Sequence, residues 1–286
     1  MKYFKFAILV SLLIFCITCT SVKNKASVDL NDTTMTDQEK LLVDSIIQFG
    51  LDNEALFTLM GDIKPLSSLT SYSYPIANTD TTKAISGDFL TREKDGKYLD
   101  KMYRIQQAVN KIDLPDLEFV VVPYIKPSRG KRIVQVSVIR KSSLDKKLKE
   151  KENFYGQLGL VPGIDPGVAL AIIETSSDFE RWRGYGYLFG YPDHAVDFFN
   201  VSSDVSKKTG NQLERNFFRI PTYNPKHSNF TYEYAKDHVP TADVDSVLYY
   251  RSAEVLETYK RLRDKYTNAN GSVRAYELLK DYYEKK

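Results

Sequence analysis

Both cysteines of this 286-residue chain, Cys16 and Cys19, lie at its N-terminal end. The residues after them therefore contain no thiol for a disulfide bond, for nucleophilic catalysis or for a cysteine-ligated metal. A domain without disulfide bonds depends on its hydrophobic core, and about 250 residues are enough to bury one. Because 42% of the residues are hydrophobic, with 20 tyrosines and 15 phenylalanines, the composition predicts a globular domain and not a disordered tail.

The first 19 residues have the layout of an export signal. Lys2 and Lys5 provide a short positive region, residues 6–18 are apolar apart from one serine and one threonine, and Cys19 follows. The apolar run is at the upper end of the roughly 7 to 15 residues of a signal peptide and short of the roughly 20 of a spanning helix. The segment resembles a bacterial lipoprotein signal.

That resemblance makes Cys19 the expected lipidation site. Lipoprotein signals have a small residue before the modified cysteine and a leucine-like residue three positions before it. Thr18 is an acceptable small residue directly before Cys19, whereas Cys16 occupies the position at which leucine is expected. The alternative site, Cys16, has Leu13 correctly placed but bulky Phe15 directly before it. An ordinary secretory signal and an uncleaved N-terminal anchor are the remaining alternatives.

The resemblance divides the chain into a signal peptide (1–18), a flexible tether (19–35) and a globular domain (36–286). The tether is polar and aperiodic, whereas Thr36 and Glu39 form a capping-box pattern before apolar residues at helical spacing. A lipoprotein of this layout would be anchored by lipid in the bacterial cell envelope, with the outer membrane as the expected location. Its partners would be the membrane, reached through the lipid, and an envelope protein or a small ligand.

The charge of the chain favours no polyanionic partner. Loss of residues 1–18 removes two lysines and no acidic residue, so the formal charge falls from +3 to +1. Nucleic-acid-binding domains usually carry a strong basic surplus. We therefore expect no nucleic-acid partner.

The strongest strand signals come from residues 117–125 and 132–139. Three valines alternate with polar residues in the second segment, which predicts a strand with one buried face. A Pro-Ser-Arg-Gly turn between the segments indicates an antiparallel hairpin. Pro123 predicts that the first strand has an unpaired side or a bulge, because proline cannot donate to a strand ladder.

The remaining elements are predicted to be mainly helical. Helices are expected at 36–50, 52–60, 97–112, from 143, at 168–174, 179–189, 193–201, 244–266 and 272–283, and short strands at 217–223 and 230–234. Residues 61–75 contain many helix breakers and predict a loop with one extended stretch. The fold class is therefore α+β: a predominantly helical single domain with a small antiparallel sheet.

The densest unusual segment is 181–199, which contains the only tryptophan of the chain and one of its three histidines. Pro192 and Asp193 suit the first turn of a helix, and His194 and Asp197 share one helix face at a spacing of three. The candidate ligand-binding residues are Trp182, Tyr187, Tyr191, Asp193, His194 and Asp197. In the competing interpretation the aromatic rings are core, and the glycines of the segment permit their close packing.

No metal or cofactor is predicted. His227 and His238 are distant from His194 in sequence, and no local spacing specifies a third ligand. The chain contains no nucleophile elbow, phosphate-binding loop, zinc-protease motif or dinucleotide fingerprint. In the turn that follows Gly61, Lys64 is expected to be solvated.

Two functions remain open. The first is a non-enzymatic lipoprotein that acts as a binding or envelope-assembly module. The alternative is a hydrolase or transferase acting on envelope material, with Asp193, His194, Asp197 or Asp62 as general acid or base. Convergence of these side chains in a closed cleft would favour the enzyme, and separate exposure to solvent would favour the binding module.

Overall fold

The computed structural model describes residues 34–75 and 92–285. The predicted signal peptide, both cysteines and nearly all of the tether lie outside the described residues. The helices are α1 (Asp37–Asp52), α2 (Leu56–Leu59), α3 (Arg92–Asn110), α4 (Lys141–Glu150), α5 (Glu152–Tyr155), α6 (Pro166–Thr175), α7 (Asp178–Leu188), α8 (Asp193–Thr209), α9 (Val247–Tyr266) and α10 (Ala275–Glu284). The strands are β1 (Leu66–Pro75), β2 (Leu117–Pro123), β3 (Lys131–Arg140), β4 (Arg215–Pro221) and β5 (Asn229–Ala235). The predicted α+β class, mainly helical with a small antiparallel sheet, is confirmed.

Strands β1, β3 and β2 form an antiparallel sheet in that order, and β4 and β5 form a separate antiparallel pair. The predicted hairpin is confirmed as β2 and β3, with Val120 opposite Ser137. Because β2 is an edge strand of this sheet, Pro123 has no partner strand on its outer side, as its sequence position indicates.

The prediction that β3 buries only one face is wrong. This central strand is buried on both faces from Val134 to Arg140. A buried polar side chain of this strand has hydrogen-bond partners: the side-chain amide of Gln135 donates to the carbonyls of Thr70 and Val136 at 2.9 and 2.7 Å. The second face is covered by the core that contains residues of α4, α6, α7 and α8, against which Ile139 packs. Residues 66–75, predicted mainly as a loop, form β1, which pairs with the edge of β3 opposite β2.

The three-stranded sheet separates two hydrophobic cores. Val136 and Val138 of β3 face the first core, which contains residues of α1, α2, α3, α9 and α10, while Ile139 faces the second, which contains residues of α4, α6, α7 and α8. The β4–β5 hairpin contacts α8 and α9. Among the described residues, no helix combines the length and the apolar character needed to cross a membrane.

Two helix starts follow directly from the sequence. The Thr36 hydroxyl accepts from the Glu39 amide, and the Glu39 carboxylate accepts from the Thr36 amide at 2.8 Å. Ser177 and Glu180 make the same reciprocal pair at the start of α7. The capping box predicted at Thr36 is confirmed, and Ser177 forms a second one; both lie within one helical turn and so depend only on local sequence.

The prediction that Lys64 is solvated is wrong. Its side chain is 0% exposed, its Nζ lies 2.5 Å from the Glu54 carboxylate and 4.6 Å from the centre of the Phe230 ring. The chain at Gly190, which has φ +78°, crosses directly over this turn: a Cβ there would lie 2.7 Å from the Ile63 carbonyl. Tertiary packing therefore covers a lysine that local sequence leaves exposed.

Candidate functional site

A cavity of about 560 Å³ lies between α7, the first half of α8, the β4–β5 hairpin and the segment that follows β2, which contributes Tyr124 and Lys126. Its lining residues are Tyr124, Lys126, Glu174, Arg181, Trp182, Tyr185, Gly186, Phe189, Tyr191, Ala195, Val196, Phe199, Phe217, Thr231, Tyr232 and Glu233. Eight of these sixteen residues are aromatic and four are charged. Both the volume and the mainly apolar wall are typical of small-molecule sites, which occupy about 300–1,000 Å³.

Glycines bring α7 close to its neighbours at the base of the cavity. A Cβ at Gly186 would lie 2.9 Å from a methyl group of Val196, and one at Gly184 would lie 3.1 Å from Ile173. The interpretation of these glycines as packing residues is supported, although their partners are aliphatic side chains and not aromatic rings. A larger residue at Gly186 would push α7 away from α8 and distort the cavity wall.

The aromatic wall is held by ring contacts. Trp182 meets Phe179 and Phe199 edge to face, with centroid distances of 5.7 and 5.9 Å. Tyr185 stacks on Phe189 at 5.5 Å. Such offset-stacked and edge-to-face pairs stabilise by roughly 0.5–1.5 kcal/mol beyond simple burial, so these side chains hold a defined wall.

A buried carboxylate lies in this wall. Glu174, at the end of α6, is 5% exposed and accepts hydrogen bonds from the Tyr185 hydroxyl at 2.8 Å and the Ile125 amide at 3.0 Å. The Arg181 guanidinium lies 3.7 Å away. Burial, together with the Glu174 charge, raises the pKa of the Tyr185 hydroxyl. Glu174 is thus a satisfied buried anion with one nearby cation.

Three cations converge on one acid at the rim. Asp178 lies 2.5 Å from Lys126 and 3.0 Å from Arg181, and it also pairs with Lys207. Hydrogen bonds from Lys126 and Lys207 lower the pKa of Asp178 to about 2. The Lys207 ammonium also lies 4.4 Å from the Trp182 ring centre. Asp178 and the buried Glu174 carry two negative charges against these three positive ones, so the rim retains one positive charge beside an aromatic surface.

The six candidate residues of the 181–199 segment separate into different surroundings. Trp182 and Tyr191 line the cavity. Tyr187 belongs to the second core, and its hydroxyl accepts from Arg183 at 3.0 Å. Burial, and to a smaller degree Glu54, raises the pKa of Tyr191.

The candidate acids do not converge. Asp193 and Asp197 are exposed on α8, where they pair with Lys151 and Arg183, each at 2.5 Å. Asp62 is exposed elsewhere and pairs with Arg251 at 2.6 Å. Separate surface ion pairs contribute about 0–1 kcal/mol each, and none of these acids lines the aromatic cavity.

His194 meets groups that the sequence leaves far apart. Its ring stacks on His238 with centroids 4.1 Å apart, and its Nε2 lies 3.5 Å from the Asp245 carboxylate. Burial and the neighbouring His238 lower the pKa of His194 against the opposing charge of Asp245. The third histidine, His227, lies in the turn between β4 and β5 and is not part of this group.

Several site residues carry only a weak sequence signal. Glu174 ends an apolar helix, where a charged residue on the buried side indicates a partner. Tyr232 lies between Thr231 and Glu233 in a predicted strand, which indicates a buried face but not a cavity. Phe217 starts a predicted strand and is followed directly by Phe218, so no alternation marks it. Asp245 carries no sequence signal for this group, because its side-chain partner Tyr232 lies on another element, 13 positions away.

A second cavity, of about 840 Å³, lies along α1 and is lined mainly by polar side chains. Its polar groups are already used within the fold: Gln48 accepts from the Val273 amide, and Asp52 accepts from Tyr259 and Arg263. The smaller aromatic cavity is therefore the better candidate site, because apolar surface combined with few polar groups is what small-molecule sites share.

Comparisons with known proteins identify no relative: no family model, no curated protein and no solved structure matches the chain.

Proposed function

We propose that this protein is an envelope lipoprotein whose domain binds a small, largely apolar molecule with an anionic group. The observation that carries the proposal is the aromatic cavity of about 560 Å³, whose wall includes Trp182, Phe199 and Phe217. An aromatic or alicyclic body would bury apolar surface there, at roughly 25 cal/mol per Å² removed from water. Binding in this cavity is favoured over catalysis because three of the four candidate acid–base residues, Asp62, Asp193 and Asp197, are in separate ion pairs at the surface. The fourth, His194, does not line the cavity.

The charges at the rim specify the ligand's polar end. Lys126 and Arg181 line the cavity, and with Lys207 they exceed the two nearby acids, Asp178 and Glu174, by one charge. Glu233, which also lines the cavity, is neutralised by Arg215 at 2.5 Å. Glu174 is already satisfied by two hydrogen bonds. An anionic group at the mouth would therefore meet uncompensated positive charge, whereas a cation would meet repulsion.

We expect the mature chain, residues 19–286, to bind the anionic dye 1-anilinonaphthalene-8-sulfonate more tightly than its uncharged analogue N-phenyl-1-naphthylamine. Trp182 is the only tryptophan of the chain and lines the cavity. Energy transfer from Trp182 to the bound dye is the measurement. Phe199→Ala should weaken both dyes by about 10-fold, because one wall of the site is lost.

The matched control is Tyr250→Ala, which removes an exposed aromatic ring outside the cavity and should leave both affinities unchanged. Lys126→Met should weaken only the anionic dye, by about fivefold or less, because its ammonium is largely solvated. Equal losses in the Phe199 and Tyr250 variants would contradict binding in this cavity. Equal affinity for the two dyes would contradict the anionic preference alone.

The membrane anchor is proposed from the N-terminal signal. We expect intact-mass analysis of the membrane-extracted protein to show loss of residues 1–18 and addition of lipid at Cys19. Several acyl chains are needed for stable anchoring, since one chain binds only marginally. Cys19→Ser should abolish the lipid mass, and Cys16→Ser should leave it unchanged. A mature N-terminus without lipid would disprove the anchor and leave the binding proposal to its own test.

A further inference from the structure

His194, His238 and Asp245 are brought together from three separate parts of the chain. His194 is in the first turn of α8, His238 follows β5, and Asp245 lies in the π-helical turn Ala242–Ser246 before α9. One ligand atom of each residue lies within 4.8 Å of the other two. Two imidazoles and one carboxylate are a donor set that divalent transition metals bind in proteins.

The two imidazoles each have a nitrogen that the protein does not use. The Nε2 atoms of His194 and His238 are buried and have no hydrogen-bond partner among the described residues. Buried polar atoms are nearly always paired with protein, with water or with an ion. The 3.5 Å approach of His194 Nε2 to Asp245 is an ionic contact and not a hydrogen bond. Both nitrogens are thus available for a ligand.

The spacing suits a metal ion. Bonds of about 2.0–2.1 Å that meet at a tetrahedral angle place ligand atoms about 3.4 Å apart. The distance between His194 Nε2 and Asp245 is already 3.5 Å, and the widest pair of ligand atoms in the group is no more than 4.8 Å apart. The His194 and His238 rings are stacked, with centroids 4.1 Å apart and an interplanar angle of 20°, so the in-plane lone pairs of their Nε2 atoms do not converge on one point in this structure. Metal binding therefore requires the His238 ring to rotate out of the stack and its ligand atom to move by about 1.4 Å or less.

The carboxylate is held in place by a second layer of hydrogen bonds. Asp245 is 1% exposed, the Tyr232 hydroxyl donates to its Oδ1, and the Thr241 amide donates to its Oδ2 at 2.7 Å. Outer-layer partners of this kind orient metal ligands. The Tyr232 ring also lines the aromatic cavity, so one side chain joins the two places.

We propose that His194, His238 and Asp245 bind a divalent transition metal, with Zn²⁺ as the expected ion. The three side chains supply two nitrogen ligands and one oxygen ligand, and a fourth position is open to water or to a donor atom of a small molecule. This site is separate from the anion-binding rim of the proposed function, and its test does not depend on that function.

The test uses the full chain without a polyhistidine tag, in detergent, with Cys16→Ser and Cys19→Ser to remove competing thiols. We expect a single equivalent of Co²⁺ to produce visible d–d absorption, and Zn²⁺ to displace it. His238→Gln should weaken Zn²⁺ binding by more than about 100-fold, because loss of an outer-layer partner alone costs about 10–100-fold. Competition with a chromophoric chelator measures the affinity.

The matched control is His227→Gln, which removes the histidine outside the group and should leave binding unchanged. Tyr232→Phe should weaken binding by about 10-fold or more through Asp245 while keeping every direct ligand. If His238→Gln fails to fold, the Tyr232→Phe variant still tests whether the metal binds at Asp245. Absence of saturable Co²⁺ and Zn²⁺ binding by the folded parent, or equal affinities in the His238 and His227 variants, would overturn the proposal.

Discussion

Replacing Arg140 with methionine is expected to lower the free energy of unfolding by about 4 kcal/mol, the range found when one partner of a buried charged network is removed. The Arg140 side chain is buried at the end of β3 and donates to the carbonyls of Thr58, Leu59 and Gly61 at 2.7–3.4 Å. These carbonyls lie at or just beyond the C-terminal end of α2, where a helix has no internal donors. Methionine would fill much of the space but would remove the Arg140 donors from the Thr58 and Gly61 carbonyls, while the Leu59 carbonyl would keep the Tyr283 hydroxyl at 2.5 Å.

The melting temperature should fall by about 10 °C, since about 1 kcal/mol shifts a domain of this size by about 2–4 °C. Arg140→Lys should also destabilise, because an ammonium lacks the planar fork that reaches both these carbonyls and the Asp116 carboxylate at 3.1 Å. Urea unfolding of the mature chain measures both changes.

Lys131→Met, on the exposed end of the same strand, is the control and should change stability by less than about 0.5 kcal/mol. A cost below about 1 kcal/mol for Arg140→Met would contradict its capping role.

The second large effect concerns the buried pair of Lys64 and Glu54. Glu54→Ala should destabilise by about 3 kcal/mol, because it leaves a fully buried ammonium without its counter-ion. The Phe230 and Phe189 rings, 4.6 and 5.4 Å from the Lys64 Nζ, would compensate only in part, since a cation–π contact contributes about 0.5–2 kcal/mol. Lys64→Met should cost only about 1 kcal/mol, because Glu54 is partly exposed and can be hydrated.

The double variant, Glu54→Ala with Lys64→Met, distinguishes this account from simple loss of packing. It should be more stable than Glu54→Ala alone by about 2 kcal/mol, because the unpaired buried charge is gone. Urea unfolding of the three variants supplies the comparison. If the double variant is less stable than either single variant, Lys64 stabilises the fold mainly through contacts of its side chain and not through its paired charge.

The helices and the hairpin were predictable because their signals are local. The capping boxes at Thr36 and Ser177 involve residues three positions apart, and the β2–β3 hairpin needs only a short turn between two apolar segments. Strand β1 was not predictable in the same way. Its serine-rich sequence has little strand character of its own, and pairing with β3 determines its conformation.

The candidate site was predictable only in part. The composition of the aromatic segment 181–199 predicted Trp182 and Tyr191 as site residues, and both line the cavity. The prediction also included Asp193 and Asp197, because spacing on a helix predicts a shared face but not what that face meets. Glu174 and Tyr232 complete the cavity from other elements, and no periodicity within 181–199 specifies them.

The sequence by itself determined the absence of thiols after Cys19, the fold class and the starts of the main helices. These properties depend on composition and on contacts within a few residues along the chain. The tertiary structure alone decided that Lys64 and Arg140 are buried, that a cavity lies beside α7, and that His194 meets His238 and Asp245. The partners in these cases are distant in sequence, as for Arg140 and Thr58, 82 positions apart. Burial of a polar group is favourable only where a fold supplies its partner, so residue type and local spacing do not specify it.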